Sequence, residues 1–305
     1  MSSTVARPVP GNADSLNWRA RCHRFAGRVI PIRAIRRWQE ALRTPSLRQS
    51  VDEQGLSTLY ARLEAIVPDL RHQYTGLELN TDYLVRNVRS LHAFQVSMIE
   101  RALDLVGRPQ QPLTVVDVGD SAGTHLQYLR GLHPDRDLRC LSLNLDPAAV
   151  DKIKRLGMEA VCARAEELTA LGIDADVFLS FETLEHLPDP IGFLQSLSLN
   201  THGKALVVTV PYVAQSRVGM HHIRLGLPTQ VTPENTHIFE LSPADWRLLF
   251  RYSGWEVRYE QIYRQYPRRR LLRVMKRHWQ RTDFEGFWGV VVERDSTWMN
   301  QYTRW

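Results

Sequence analysis

Hydrophobic and polar positions change rhythm at Pro112. Upstream of it, apolar residues recur every three to four positions, the period of a helix that buries one face. Residues 17–44 carry Trp18, Phe25, Val29, Ile32, Ile35 and Trp38 among many arginines. Such a helix can lie on a membrane surface or cover part of the protein core. A second helical stretch, Leu56 to Val67, is stopped by Pro68. A longer one starts near Thr81 and Asp82, either of which can cap it, and ends at Gly107 with Pro109 beyond. Leu84, Val88, Leu91, Met98, Ala102 and Leu105 mark its apolar face.

From Pro112 compact apolar runs alternate with helical patterns. Strands are expected at Leu113–Val118, Leu138–Leu145, Ala160–Ala163, Val177–Phe181 and Ala205–Pro211. Helices are expected between them at Thr124–Leu132, Pro147–Leu156, near Glu166, and at Pro190–Leu199. A last helix, Pro243–Tyr252, precedes strands Trp255–Tyr263 and Phe287–Glu293, which flank a basic helical stretch. This rhythm predicts an α/β fold: a doubly wound, seven-stranded, mostly parallel sheet with an antiparallel C-terminal hairpin and an N-terminal helical appendage. The expected organisation is a disordered tail at 1–16, the appendage at 17–110, the sheet domain at 111–295 and a C-terminal tail at 296–305.

The chain has 39 Lys and Arg against 33 Asp and Glu, a net charge of +6. The excess gathers in two blocks, Arg19 to Arg48 and Arg264 to Arg281. Such blocks attract nucleic acid, anionic lipid or an anionic substrate, or form a solvated surface. No apolar run is long enough to span a membrane, and Met1 to Asp14 lacks the apolar core of a secretory signal. The expected compartment is the cytoplasm, with peripheral membrane contact through the basic N-terminal segment as an option. Cys22, Cys140 and Cys162 fit no metal spacing, and Cys140 and Cys162 read as buried, reduced thiols within strands.

The first strand runs into a helix through Asp117-Val-Gly119-Asp-Ser-Ala-Gly123. A turn this tight needs residues without Cβ bulk, both for unusual φ and for close approach of a ligand. Asp117 is an acid at the end of an apolar strand, costly unless employed. It can hold the amino group of a zwitterion or orient the turn's amides. Alone, the turn leaves open a structural role with no ligand.

Later segments add to this. Asp176-Val-Phe-Leu-Ser-Phe-Glu182-Thr-Leu-Glu185-His186-Leu-Pro-Asp-Pro190, followed by Gly203-Lys-Ala-Leu-Val-Val-Thr-Val-Pro211, resembles the class I S-adenosylmethionine (SAM)-dependent methyltransferases of Rossmann-like fold, especially the ubiquinone/menaquinone-biosynthesis-like branch. The resemblance covers about residues 113–263, roughly half the chain. It implies SAM as cofactor, with Asp117, Gly119 and Gly123 of the glycine turn beside its methionine portion. Three positions depart from the family pattern. Ser121 replaces the middle glycine, Asn144 stands where an acid grips the ribose, and Arg164 replaces the Asp before Ala165 and Glu166, the adenine-side stretch. Asp146, two residues after Asn144, is either a second ribose contact or the N-cap of the helix opened by Pro147. Glu166 either reads adenine or favours a helix start. Phe181, ending the fourth strand, completes the implied cofactor set.

For catalysis the resemblance implies that Glu182 and His186 face the cleft. His186 is the leading candidate base and Glu182 the second, the alternative for His186 being a wall residue bonded to backbone. The long connection after Pro211 carries His221, His222, Arg224 and His237, of which His237 or His222 can serve instead. No metal is expected, because no cysteine or tight pairing supports one. The expected reaction is O-methylation of a small molecule or of a sugar on a glycolipid or polysaccharide. An RNA methyltransferase is the runner-up, disfavoured by the lack of an Asn/Asp-Pro-Pro-aromatic signature, and a non-catalytic SAM-fold scaffold is the third reading.

Overall fold

The computed structural model describes residues 32–107, 112–226, 236–265 and 286–302. The expected tail at 1–16, the start of the 17–44 helix and the basic stretch within 264–281 lie wholly or largely outside these residues. Contacts divide the chain into two units, Met1–Pro45 and Ser46–Trp305. Helix α1, Ile32–Glu53, runs nine residues past the expected end at 44, with Pro45 inside it. Beyond Pro45, Leu47, Ser50 and Val51 are buried at helical spacing, which continues the amphipathic pattern.

Within the second unit, α2 (Ser57–Ile66) and α3 (Asp82–Val106) precede the first strand. Both belong to the same compact unit as the sheet, although the sequence places them in an appendage. Thr81 caps α3 by accepting the Leu84 amide at 3.2 Å, and Gly107 closes its other end. Leu105 on the expected face is instead 40% exposed, while Arg89, His92 and Gln95 are buried. The reason is that α3 packs against strands on one side and α2 on another, so its middle is buried nearly all round. Gly289 makes this possible, since a Cβ there would sit 2.5 Å from the Phe94 ring.

The sheet comprises β1 (Leu113–Val118), β2 (Leu138–Asn144), β3 (Glu159–Cys162), β4 (Val177–Phe181), β5 (Ala205–Pro211), β8 (Trp255–Arg264) and β9 (Gly286–Arg294). Their order is β3-β2-β1-β4-β5-β9-β8. The first five strands pair in parallel, and β9 runs antiparallel to both β5 and β8. This is the expected doubly wound sheet with its C-terminal hairpin. Helices α4 (Thr124–Leu132), α5 (Pro147–Arg155), α6 (Pro190–Asn200) and α8 (Pro243–Tyr252) complete it. Cores lie on both faces, one around Phe94, Met98 and Leu129, the other around Trp246, Phe250, Trp255 and Trp288. Cys140 is buried as expected, but Cys162 is exposed, because it ends β3 at the edge of the sheet.

The long connection after Pro211 is partly ordered. Its strands β6 (Arg217–Val218) and β7 (Phe239–Glu240) pair antiparallel, and a four-residue helix, α7 (His221–Arg224), follows β6. The expected C-terminal tail contains a 3-10 turn at Met299–Tyr302 whose Met299 is buried. No helix among the described residues is long and apolar enough to cross a membrane.

Candidate functional site

Strand order reverses between β1 and β4, where doubly wound sheets hold their ligands. A cavity of about 610 Å³ opens there. It is lined by the turns after β1, β2, β3 and β4 and by the segment joining α2 to α3.

After β1 the chain turns through Gly119 at φ +92°, where a Cβ would overlap the Thr183 hydroxyl. Thr183 Oγ1 donates to the carbonyls of Val118 and Phe181 at 3.2 and 3.0 Å, wedging the turns after β1 and β4 together. Gly123 takes φ +68° as the residue before α4, and a Cβ on it would run into Met158. Having no side chain, it gives α4 no cap, and the turn just before the helix is held by Asp120. Asp120 Oδ1 accepts the Ala122 and Gly123 amides at 3.0 and 2.7 Å. Burial, with the Asp117 charge adding, pushes the Asp120 carboxyl up to about 7.

Asp117 is 1% exposed, and its Oδ2 lies 3.4 Å from His125 Nδ1. His125 Nε2 meets Gln95 Oε1 at 3.0 Å, and Gln95 Nε2 donates to Thr209 Oγ1 at 3.0 Å. The Gln95 oxygen can only accept, so Nε2 of His125 carries a proton. Phe181 packs its ring 4.5 Å from that of His125. His92 sits edge-on to His125, and burial holds it well below the ordinary histidine range, in the neutral form.

At the end of β2, Asn144 Nδ2 donates to the Asp120 carbonyl at 2.8 Å, and Oδ1 accepts the Asp146 amide at 2.7 Å. A carboxylate could not donate to the carbonyl as this amide does, which gives a physical reason for Asn where the resemblance implies an acid. Asp146 caps α5 by accepting the Ala148 amide at 2.9 Å and binds the Thr75 hydroxyl at 2.6 Å. After β3, a 3-10 turn spans Ala165–Glu167. Glu167 accepts the Arg164 amide at 3.0 Å, and Arg164 pairs with Glu166 at 3.2 Å. Glu167 thus does the helix-start work, while Glu166 and Ala165 line the cavity.

At the end of β4, Glu182 takes φ +51°, an uncommon backbone state for a residue with a side chain. Burial pushes its carboxyl up to about 8, and its Oε1 has no hydrogen-bond partner. Glu185 and His186 follow on a 3-10 turn, Leu184–His186. Glu185 is 1% exposed, and burial, with Glu182 adding, holds its carboxyl well above the usual carboxylate range. His186 Nδ1 lies 3.0 Å from the Thr236 carbonyl, and its ring packs at right angles to His237, 4.7 Å away.

The structure therefore gathers Asp117, Gly119, Ser121, Asn144, Ala165, Glu166, Phe181, Glu182 and His186 around one cavity. Gly123, Asp146 and His237 do not line it. The first two serve helix starts, and His237 stands behind His186. His221 and His222, on α7, do not line it either.

Nothing in the hydrophobic pattern or the motifs marks the fifth wall. Residues 73–77 between α2 and α3 close one side of the cavity. They are pinned by Thr75 to Asp146, by Thr124 to the Gln73 amide at 2.6 Å, and by Lys152 to the His72 carbonyl. Desolvation in the cavity, with Glu182 adding, pushes the Tyr74 hydroxyl up to about 12, leaving it a neutral donor. Arg89 fastens the start of the segment that leads into this wall. Its side chain is 1% exposed and donates to the carbonyls of Val67 and Pro68 at 2.7 and 2.6 Å. A polar loop beside a helical arginine reads from sequence as solvated surface. Only the partner positions show otherwise.

The cavity suits a cationic, amphipathic ligand. Asp117, Asp120, Glu166 and Glu182 line it, and Asp117 Oδ2, Asp120 Oδ2 and Glu182 Oε1 are buried without hydrogen-bond partners. A sulfonium and an ammonium, the two positive centres of SAM, would offset those carboxylates.

A family profile described as "Methyltransferase domain" matches residues 91–260, more than half of the chain. No curated protein matches it. Among solved structures, one described as a sarcosine dimethylglycine methyltransferase from Galdieria sulphuraria is 15% identical, with a TM-score of 0.49 over 70% of this chain and 88% of that one. The 1,6-didemethyltoxoflavin-N1-methyltransferase of Burkholderia thailandensis, with 1,6-didemethyltoxoflavin and S-adenosylhomocysteine bound, is 14% identical. Its TM-score is 0.47 over 78% of this chain and 90% of that one.

Proposed function

The chain belongs to the methyltransferase-domain family, and from that premise we propose that it methylates a hydroxyl group of a small molecule or of a sugar on a glycolipid or polysaccharide. It is a SAM-dependent methyltransferase. Within that class, the run from Glu182 to Pro190 favours the ubiquinone/menaquinone-biosynthesis-like branch.

When bound, SAM supplies a methyl group on a positively charged sulfur, so the protein's task is alignment, exclusion of water and handling of a proton. Asp117, the Gly119 turn and Ser121 would hold the methionine end, Asn144 the ribose, and Ala165 and Glu166 the adenine. Asn144 has spent one donor and one acceptor on the backbone, so it offers the ribose one of each rather than two acceptors. Tyr74 and its loop would shield the reacting centre.

The observation that carries the hydroxyl reading is the presence of Glu182 and His186 on one cavity wall at the end of β4. An amine acceptor is already nucleophilic once neutral, whereas a hydroxyl must lose its proton in the transition state. A wall with two proton-handling groups fits the second need. The test is transfer of labelled methyl from SAM to fractionated cell extract and to simple sugars and phenols. The expected product is an ether, stable to base. Label found only on nitrogen would reject the hydroxyl assignment, and absence of any thermal stabilisation by SAM would reject cofactor binding itself.

A further inference from the structure

Glu185 is the most anomalous acid among the described residues. Both its carboxylate oxygens are buried without a hydrogen-bond partner, in a side chain 1% exposed. An isolated ion in that place would be costly, and even a neutral acid leaves its groups unpaired. Two histidines stand against it. One oxygen lies 3.9 Å from His186 Nε2, and one ligand atom each from Glu185, His186 and His237 fall within 4.8 Å of one another.

We propose that Glu185, His186 and His237 form a site for a divalent first-row transition cation at the β4 end of the cavity. Two imidazoles and one carboxylate suit zinc, manganese or iron better than magnesium, which prefers oxygen ligands throughout. Metal–ligand bonds of about 2.0–2.2 Å at tetrahedral angles put ligand atoms roughly 3.4 Å apart. The Glu185–His186 pair, at 3.9 Å, is near that spacing, and closing the cluster from 4.8 Å takes a contraction of about 1 Å at its widest, within reach of side-chain rotation.

The surroundings orient both rings as ligands require. The Thr236 carbonyl facing His186 Nδ1 can only accept a hydrogen bond, so it holds a proton on that nitrogen and turns Nε2 toward Glu185. Glu240 Oε1 lies 3.3 Å from His237 Nδ1 and holds a proton there, which leaves Nε2 as that ring's ligand atom, while Arg217 pairs with Glu240 in turn. Backbone or carboxylate partners on the far ring nitrogen are the usual support of metal-bound histidines. The two halves of the site are tied directly, since the Ile238 amide donates to the Glu185 carbonyl at 2.7 Å.

Three protein ligands leave a position for an exogenous oxygen. Because His186 lines the cavity, that position is where an acceptor hydroxyl would bind and be acidified, its proton passing to solvent. The assignment of a hydroxyl to the open position rests on the O-methylation reading above, with Glu182 keeping the proton-handling role there and His186 giving it up when it serves as a ligand. The metal site itself does not.

The test begins with full-length protein stripped by chelator and titrated with Co2+ alone, without SAM or acceptor. One equivalent should bind and give visible d–d absorption from nitrogen ligands. His237→Ala, outside the cavity and partly exposed, should weaken Co2+ at least tenfold while leaving thermal stabilisation by SAM unchanged. Glu185→Gln should do the same if it folds, and His237→Ala keeps the test decisive if it does not. Failure of Co2+ to bind stoichiometrically, or binding unaffected by His237→Ala in a SAM-competent protein, would overturn the site. Stoichiometric, His237-dependent binding together with methylation of amines only would uphold the site and reject the hydroxyl reading alone.

Discussion

Asp120 gives the sharpest physical prediction. Its carboxyl is 5% exposed, spends one oxygen on the Ala122 and Gly123 amides, and shares its surroundings with Asp117. Burial and that neighbour raise it from 3.8 to about 7, so the folded protein holds a proton there that the unfolded chain has released. The stabilisation is therefore complete below the unfolded value near 3.8 and is lost as pH rises toward the folded value near 7. Each unit corresponds to about 1.4 kcal/mol, so some three units give a ceiling of roughly 4 kcal/mol, of which about 2.3 falls between pH 5 and 7. Asp120→Asn keeps an oxygen for the two amides and cannot ionise. Urea denaturation without SAM, at steps from about pH 5 to 8, should show wild-type stability declining more steeply than that of the variant. The variant should be the more stable protein at pH 8 by about 2 kcal/mol or more, a figure discounted from that ceiling for coupling to Asp117. Parallel profiles for the two proteins would refute the reasoning, because they would mean that Asp120 titrates alike folded and unfolded.

Other substitutions probe the remaining walls. Gly119→Ala places a methyl group against Thr183 at a φ that alanine rarely adopts. It should cost about 1–3 kcal/mol in stability and remove measurable SAM affinity by calorimetry. Asn144→Asp restores the acid usual in the family but sets a carboxylate against the Asp120 carbonyl, losing a donor. SAM should bind it about tenfold more weakly, the equivalent of one lost hydrogen bond at about 1.4 kcal/mol. Arg89→Met orphans the carbonyls of Val67 and Pro68 and should lower unfolding free energy by about 3 kcal/mol, read by urea denaturation. Thr75→Val unpins the cavity loop from Asp146, and should speed proteolytic cleavage near residue 75 while SAM protects the wild type.

Much of the domain was legible in the chain because its signals are local. A strand buried on both faces is a nearly continuous apolar run, as in Val177–Phe181 and Ala205–Pro211, and several of the helices announce themselves by a cap. Asp146, Asp189 and Ser242 all accept amides at helix starts preceding a proline. Helix α3 was found but its buried face was misjudged, because that face depends on a neighbour such as Gly289, nearly two hundred residues away. The glycine turn and the ends of β2, β3 and β4 were legible as site positions, since a parallel sheet places the ends of its strands along one edge.

What the sequence by itself determined, then, is the order of elements and which turns face the ligand, because periodicity and caps are properties of adjacent residues. Tertiary structure alone decided the work of each polar side chain, since a hydrogen bond depends on where a distant partner arrives. Asp120 lies in the glycine turn yet shows its burial only once packed beside Asp117. Arg89 and Gln95 sit on a helix that reads as amphipathic, and their carbonyl and hydroxyl partners lie on other elements. Glu185 and His237 stand far apart in sequence and meet because the β6–β7 hairpin folds back onto the turn after β4.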